Sequence, residues 1–170
     1  MLLASSKKQV VVVGGGGAGV AVARALSQQL DNANHEITMI SPLPYLVWYV
    51  ASLRMLVTDE ESLENRILIP YDNLFVNGNG AYKQGVVTGI ETEQGSKAGG
   101  KVILQDGESV KYDVLLFATG SKWESLLDFP FDGEKVQDHI KEWRTKFGSA
   151  KKVVIVGGGA VGIGKSSLLV

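Results

Sequence analysis

Residues 10–19 read VVVVGGGGAG, and residues 153–162 read VVIVGGGAVG. An apolar run that passes straight into clustered glycines, then into small apolar residues, admits few folds. Four consecutive apolar residues suit a strand covered on both faces, as in a parallel sheet. The glycines then serve three needs. The first allows a tight turn, the second lets backbone approach a pyrophosphate, and the third lets a helix pack closely on the strand. The helix after them offers unpaired N–H groups and a partial positive charge to phosphates. In the first copy the G-x-G-x-x-G glycines are Gly14, Gly16 and Gly19, with Gly17 and Ala18 between them. In the second they are Gly157, Gly159 and Gly162. The first glycines of the two copies lie 143 positions apart, too far for a solenoid repeat. The chain therefore reads as two copies of one strand–turn–helix unit. Buried strands are expected at Val10–Val13 and Val153–Val156, with a helix from Val20 to about Leu30.

A second strand is expected at HEITMIS (35–41), where a βαβ unit should place it. Dinucleotide folds end this strand with an acidic residue for the ribose hydroxyls. Ser41 stands there instead, a neutral and weaker hydrogen-bonding group. The segment PLPYLVWYVASLRMLV (42–57) begins with Pro42 and Pro44, which break regular structure. Its apolar, aromatic remainder suits either a buried helix or a wall for a flat aromatic cofactor, with Arg54 reaching phosphates or an electron-rich ring. ILIPYDNLF (67–75) reads as a short strand and turn. Residues 81–120 read as a β-meander with Gly-rich turns. It ends in an apolar strand, Val114–Phe117, and then Ala118–Thr119–Gly120. From Asp132 to Phe147 an amphipathic helix is expected, with Val136, Ile140, Trp143 and Phe147 on one face and Gly148 as its stop.

Composition narrows the function. The formal net charge is −1, with no dense run of Lys or Arg, so electrostatic binding to nucleic acid or an anionic membrane has no footing. There is no cysteine, which removes thiolate metal sites, iron–sulfur clusters and redox-active Cys pairs. His35 and His139 lack metal-ligand spacing. No apolar run is long enough for a transmembrane segment, and the apolar start is too short for a secretory signal. A soluble, cytoplasmic protein is the expectation. Nothing has the paired carboxylates or His constellation of general acid–base catalysis, so no catalytic residue is assigned.

A second phosphate pattern overlaps the second glycine copy. Gly159, Gly164, Lys165 and Ser166 fit G-x-x-x-x-G-K-[ST], the P-loop of nucleoside-triphosphate-binding proteins. That loop also needs an acidic Mg²⁺ partner and a sheet after it, and the glycine spacing fits the dinucleotide loop without Lys165. Three readings stand at this point: a dinucleotide-dependent oxidoreductase, a non-catalytic nucleotide-binding remnant, and a P-loop protein.

The order of parts resembles the N-terminal portion of the two-dinucleotide-binding flavoprotein reductases. Within them the chain is most similar to the apoptosis-inducing-factor-like, or ferroptosis-suppressor-like, NAD(P)H oxidoreductases. The matching residues are VVVVGGGGAGVAVARAL, ITMISPLPYLVWYVASLR, LIPYDNLF, QGVVTGIE, VILQDGESVKYDVLLFATGSKW and VVIVGGGAVGI. The resemblance implies a Rossmann-like α/β fold with a β-meander insertion. It implies FAD at the first glycine loop and NAD(P)H at the second. By the same resemblance the backbone of Val87 meets the adenine, Ala118–Gly120 border the flavin, and Arg54 lies near the FAD. The implied chemistry is hydride transfer from nicotinamide to flavin, then electron delivery to a quinone or other small acceptor. Without cysteine, the disulfide-reductase branch is excluded and direct transfer from flavin to acceptor remains. A complete member is longer. Residues 1–148 are therefore expected to be an incomplete FAD-binding domain and 149–170 the start of an NAD(P)H-binding domain. The expected activity of such a fragment is weak FAD binding and little or no NADH oxidation.

Overall fold

The computed structural model describes residues 6–59, 62–76, 78–92, 99–159 and 162. By its internal contacts the chain divides into two compact units, Met1–Leu46 with Pro70–Gly120, and Val47–Ile69 with Ser121–Val170.

In the first unit β1 (Lys8–Val13) leads through the glycines into α1 (Gly17–Gln29) and then β2 (His35–Ser41). β5 (Ala81–Gln84) and β9 (Val114–Phe117) complete a four-stranded sheet in the order β5-β2-β1-β9. Every pairing in it is parallel. Val10–Val13 pair with Ile37–Ile40 on one side and with Val114–Phe117 on the other. That central place is why a strand with no polar alternation is stable. Alternate side chains leave on opposite faces, and both faces are covered. Val12 and Met39 pack with Ala23, Leu46, Tyr71 and Leu74 on the face that takes α1. Val11, Val13 and Ile40 pack with Val102 and Leu104 on the other. The latter two belong to an antiparallel meander of β6 (Val87–Thr92), β7 (Gly100–Leu104) and β8 (Ser109–Tyr112). The unit thus has three layers: helix, parallel sheet, meander.

The residues of α1 explain its close approach to the sheet. Its buried positions are Gly19, Ala23 and Ser27, a stripe of small residues at four-residue spacing. A loop from Tyr71 to Gly80 fastens the far end of this helix. Arg24 donates to the Asn73 carbonyl (2.9 Å), the Ser27 hydroxyl accepts from the Val76 amide (3.0 Å), and Asn79 donates to the Leu30 carbonyl (2.6 Å).

Two sequence expectations need correction here. The stretch 81–120 is not one meander: its first and last strands, β5 and β9, belong to the parallel sheet, and only β6–β8 form the meander. Val153–Val156 do not form a buried strand. Residues 152–158 carry no regular secondary structure, and Val153, Val154 and Val156 are exposed. A strand is held by its ladder and by cross-strand side-chain pairs. Among the described residues no strand lies alongside this run, so β propensity alone leaves it irregular.

β3 (Tyr45–Val47) and β4 (Leu68–Pro70) pair as a short ribbon where the chain passes between the units. The second unit contains α2 (Tyr49–Val57), the single turn α3 (Glu64–Ile67) and α4 (Gly133–Ser149). α4 starts where its sequence dictates: the Asp132 side chain caps it, accepting from the Glu134 amide (3.0 Å). Val136 and Ile140 are buried, and Trp143 and Phe147 are half-buried on the same face. Arg144 ties this unit together, donating to the Met55 carbonyl and to Glu64 (both 2.8 Å).

The hydrogen bond from Arg144 holds the Glu64 carboxyl below its ordinary value of 4.5. A carboxyl whose folded pKa is lowered adds stability that is complete above the unfolded value and fades as pH falls through the folded one. Glu64→Gln is expected to cost about 1 kcal/mol at neutral pH and to remove this part of the acid sensitivity. Urea unfolding of both proteins at neutral pH and near pH 3 checks it. An unchanged difference between wild type and variant at the two pH values would contradict the assignment.

Candidate functional site

The first unit brings the glycine turn, the end of β2 and the turn after β9 together. Gly14 has φ +117°, which L side chains rarely adopt. A Cβ there would run into the Ala118 carbonyl, and one at Gly19 would strike the carbonyl of Gly14. The Ala118 amide donates to the Val13 carbonyl (2.8 Å) and the Gly14 amide to the Ile40 carbonyl (2.9 Å). The turn is thereby welded to β2 and to Ala118–Thr119–Gly120, the last of which also has positive φ.

Gly15 is buried, whereas Gly16, Gly17 and Ala18 are exposed, and nothing lies within 4 Å of a Cβ built at Gly16 or Gly17. α1 begins here with no side-chain cap and no acidic residue in its first turn. The N–H groups of this first turn have no side-chain cap, and their positive potential is unopposed by any acidic side chain of the turn. The cradle is crowded beneath and empty above. Backbone without side chains, at a helix start, fits the diphosphate of a dinucleotide.

The structure spreads the remaining residues proposed from sequence over both units. Ser41 ends β2 and is only 5 % exposed. Val87 begins β6, half-buried against the meander core. Between them opens a hollow of ≈ 340 Å³ lined by Pro42, Gln84, Gly85, Val86, Gln105 and Asp106. It sits at the carboxyl ends of β2 and β5, the side of a parallel sheet where ligands bind. Arg54 lies exposed on α2 in the second unit, and Gly157, Gly159 and Gly162 belong to that unit as well. The first and last glycines of the second turn match those of the first. Gly157 has φ +112°, and a Cβ at Gly162 would strike the Gly157 carbonyl. Lys165 and Ser166 of the P-loop pattern lie outside the described residues.

Sequence reading missed two residues that hold the first loop from below. The Tyr71 hydroxyl donates to the Gly15 carbonyl (2.6 Å), and the Ser41 hydroxyl oxygen lies against the same face of Gly15. The Tyr82 hydroxyl reaches the carbonyls of Ser41 (3.1 Å) and Leu43 (2.8 Å). The two rings pack at 4.9 Å between centroids. Burial pushes the Tyr71 hydroxyl above its ordinary pKa, partly offset by the bond to Ser41. Burial, reinforced by Tyr71, pushes Tyr82 to about 12. Both are neutral donors at any physiological pH. The only local signal was a pair of tyrosines amid turn residues.

Comparison with known proteins agrees with this arrangement. Residues 8–169 match the family described as pyridine nucleotide-disulphide oxidoreductase. The chain is 50 % identical over 109 residues to the FAD-dependent oxidoreductase FVFD30 of Flammulina velutipes, covering 64 % of this chain and 33 % of that protein. It is 33 % identical over 137 residues to apoptosis-inducing factor homolog A of Dictyostelium discoideum, covering 79 % and 31 % respectively. In fold it is similar to NDH2 from Plasmodium falciparum, solved in complex with NADH. The TM-score is 0.60 at 19 % identity, over 95 % of this chain and 36 % of that one. The chain spans about a third of the length of these two curated relatives. No helix among the described residues is long and apolar enough to cross a membrane.

Proposed function

Because the chain belongs to the pyridine nucleotide-disulphide oxidoreductase family, we propose that it carries the FAD-binding part of an FAD-dependent NAD(P)H oxidoreductase. In this reading residues 1–148 are the FAD-binding domain and 149–170 begin the NAD(P)H-binding one. The observation that carries it is the first glycine turn, with Gly16–Ala18 exposed at a helix start beside Gly14, Gly15 and Gly19, where the packing leaves no room for side chains. Those amides and the start of α1 hold the diphosphate. The hollow beside Val86 and Val87 takes the adenine end, and Ala118–Gly120 border the flavin. Arg54 is assigned to the cofactor by the family resemblance alone. Gly157, Gly159 and Gly162 serve the nicotinamide dinucleotide in the same way. FAD, when bound, supplies the hydride-accepting ring. The protein's part is to align partners and exclude water. The chain has no cysteine to relay electrons, so the acceptor is a quinone or another small molecule reduced directly.

Titration of the purified protein with FAD tests this, read by flavin absorbance at about 450 nm and fluorescence. Saturable but weak binding is expected, with little NADH oxidation from this chain alone. Protein that leaves the flavin signal unchanged at high micromolar concentration would overturn the reading.

A further inference from the structure

We propose that Ser41 and Tyr71 are positioning residues of the diphosphate loop, linked in one hydrogen-bond chain, and that Ser41 acts through Tyr71 instead of on the ribose. The inference rests on the proposed FAD binding and deepens it.

The chain of hydrogen bonds has a direction. Tyr71 has one hydroxyl hydrogen, and it goes to the Gly15 carbonyl at 2.6 Å. Its oxygen is then left to accept, and the Ser41 hydroxyl is placed beside it, on the same face of Gly15. Ser41 is the donor placed to fill that acceptor. Both hydroxyl oxygens press on the same face of Gly15, where a Cβ would meet them. In a trans peptide the N–H of the next residue points opposite to the carbonyl. With the Gly15 carbonyl held inward on Tyr71, the Gly16 N–H is held outward. It lies at the turn where a Cβ on Gly16 or Gly17 would meet nothing within 4 Å, beside the uncapped start of α1. Tyr82 completes the support, its hydroxyl fixing the backbone carbonyls of Ser41 and Leu43 and its ring lying against Tyr71.

This accounts for the departure from the acidic pattern at the end of β2. A carboxylate at position 41 could only accept. It would face a tyrosine whose hydrogen is already committed and a glycine carbonyl that is itself an acceptor. A serine hydroxyl can donate, and it sits in a site that is 5 % exposed. The diphosphate loop is thereby pre-organised, and reading of the ribose hydroxyls at this strand end is given up.

The test compares wild type, Tyr71→Phe, Ser41→Ala and the double variant. Binding of FAD, ADP and the ribose-deoxygenated analogue of ADP is measured by calorimetry, and amide shifts by NMR on the free protein. Tyr71→Phe is expected to weaken FAD and ADP about 5- to 10-fold and to move the amide resonances of Gly15–Gly17. Ser41→Ala, the milder change, weakens binding less, and the double variant is no weaker than Tyr71→Phe. Discrimination between ADP and its deoxygenated analogue is the same in wild type and Ser41→Ala. A variant that only loosened the fold would lower its melting temperature without moving those three amides selectively. Two results overturn the proposal: full ADP affinity in Tyr71→Phe, or loss of ribose discrimination in Ser41→Ala. Should Tyr71→Phe fail to fold, Ser41→Ala decides alone, through its binding, its amide shifts and its ribose discrimination. Wild type that binds neither FAD nor ADP would overturn the cofactor reading itself, a result distinct from intact binding in the variants.

Discussion

Gly14→Ala is expected to destabilise the first unit sharply, whereas Gly16→Ala, two residues away, leaves folding intact and weakens FAD binding. At Gly14 two costs add. The backbone sits at φ +117°, worth about 1–3 kcal/mol of strain for an L side chain. The new Cβ would also press on the Ala118 carbonyl, backbone that is itself pinned to Val13 and cannot retreat. Overpacking of that kind costs about 1–3 kcal/mol more. A domain holds about 5–15 kcal/mol in all, so a melting temperature lower by roughly 10 °C or more is expected. Gly16 has φ −74° and ψ −177°, extended backbone open to any residue, with empty space where its Cβ would go. That space is the proposed diphosphate seat. Circular dichroism melts and FAD titration of both variants separate the two effects. A Gly14→Ala protein that melts within about 2 °C of wild type would contradict the turn geometry. A Gly16→Ala protein with unchanged FAD affinity would move the diphosphate elsewhere.

The parts legible in the sequence were those fixed by neighbours along the chain. β2 falls on His35–Ser41 because its apolar run is bounded by polar residues on one side and Pro42 on the other. α4 begins at Gly133 because Asp132 can cap it. The turn at Gly14–Gly19 is written in its glycines. The illegible parts depended on distant partners. Val114–Phe117 reads as one more strand of a meander until its ladder to Val10–Val13 is known. Ala81–Gln84 is equally ambiguous until it is paired with Thr38–Ser41. Tyr71 and Tyr82 carry no periodicity and no motif. Their role comes from a loop that returns to β2 and the glycine turn after about thirty residues (Ser41 to Tyr71), a contact no local pattern encodes. Ser41 was legible as a departure from the acidic rule, but its partner was not.

The two glycine copies provide the sharpest contrast, because similar sequence is expected to give opposite results. Val11→Asp should abolish folding of the first unit, and Val154→Asp should be silent. The two valines hold the same place in their copies, three residues before the first glycine. Val11 is 1 % exposed, between two parallel neighbours and against Val102 and Leu104. A carboxylate there has no partner, and an unpaired buried charge costs far more than the lost methyl groups. The variant would keep its proton or unfold, so its stability should fall by more than about 4 kcal/mol at neutral pH and recover partly as pH drops and the side chain is neutralised. Val154 is 74 % exposed, and surface substitutions of that kind stay within about 0.5 kcal/mol. Expression, urea unfolding and FAD binding of the two variants check this. Equal damage from both would mean that Val153–Val156 is buried in solution, and the second copy would then be a formed strand after all. Equal tolerance would remove the buried central strand from which the glycine turn, and with it the proposed cofactor seat, is suspended.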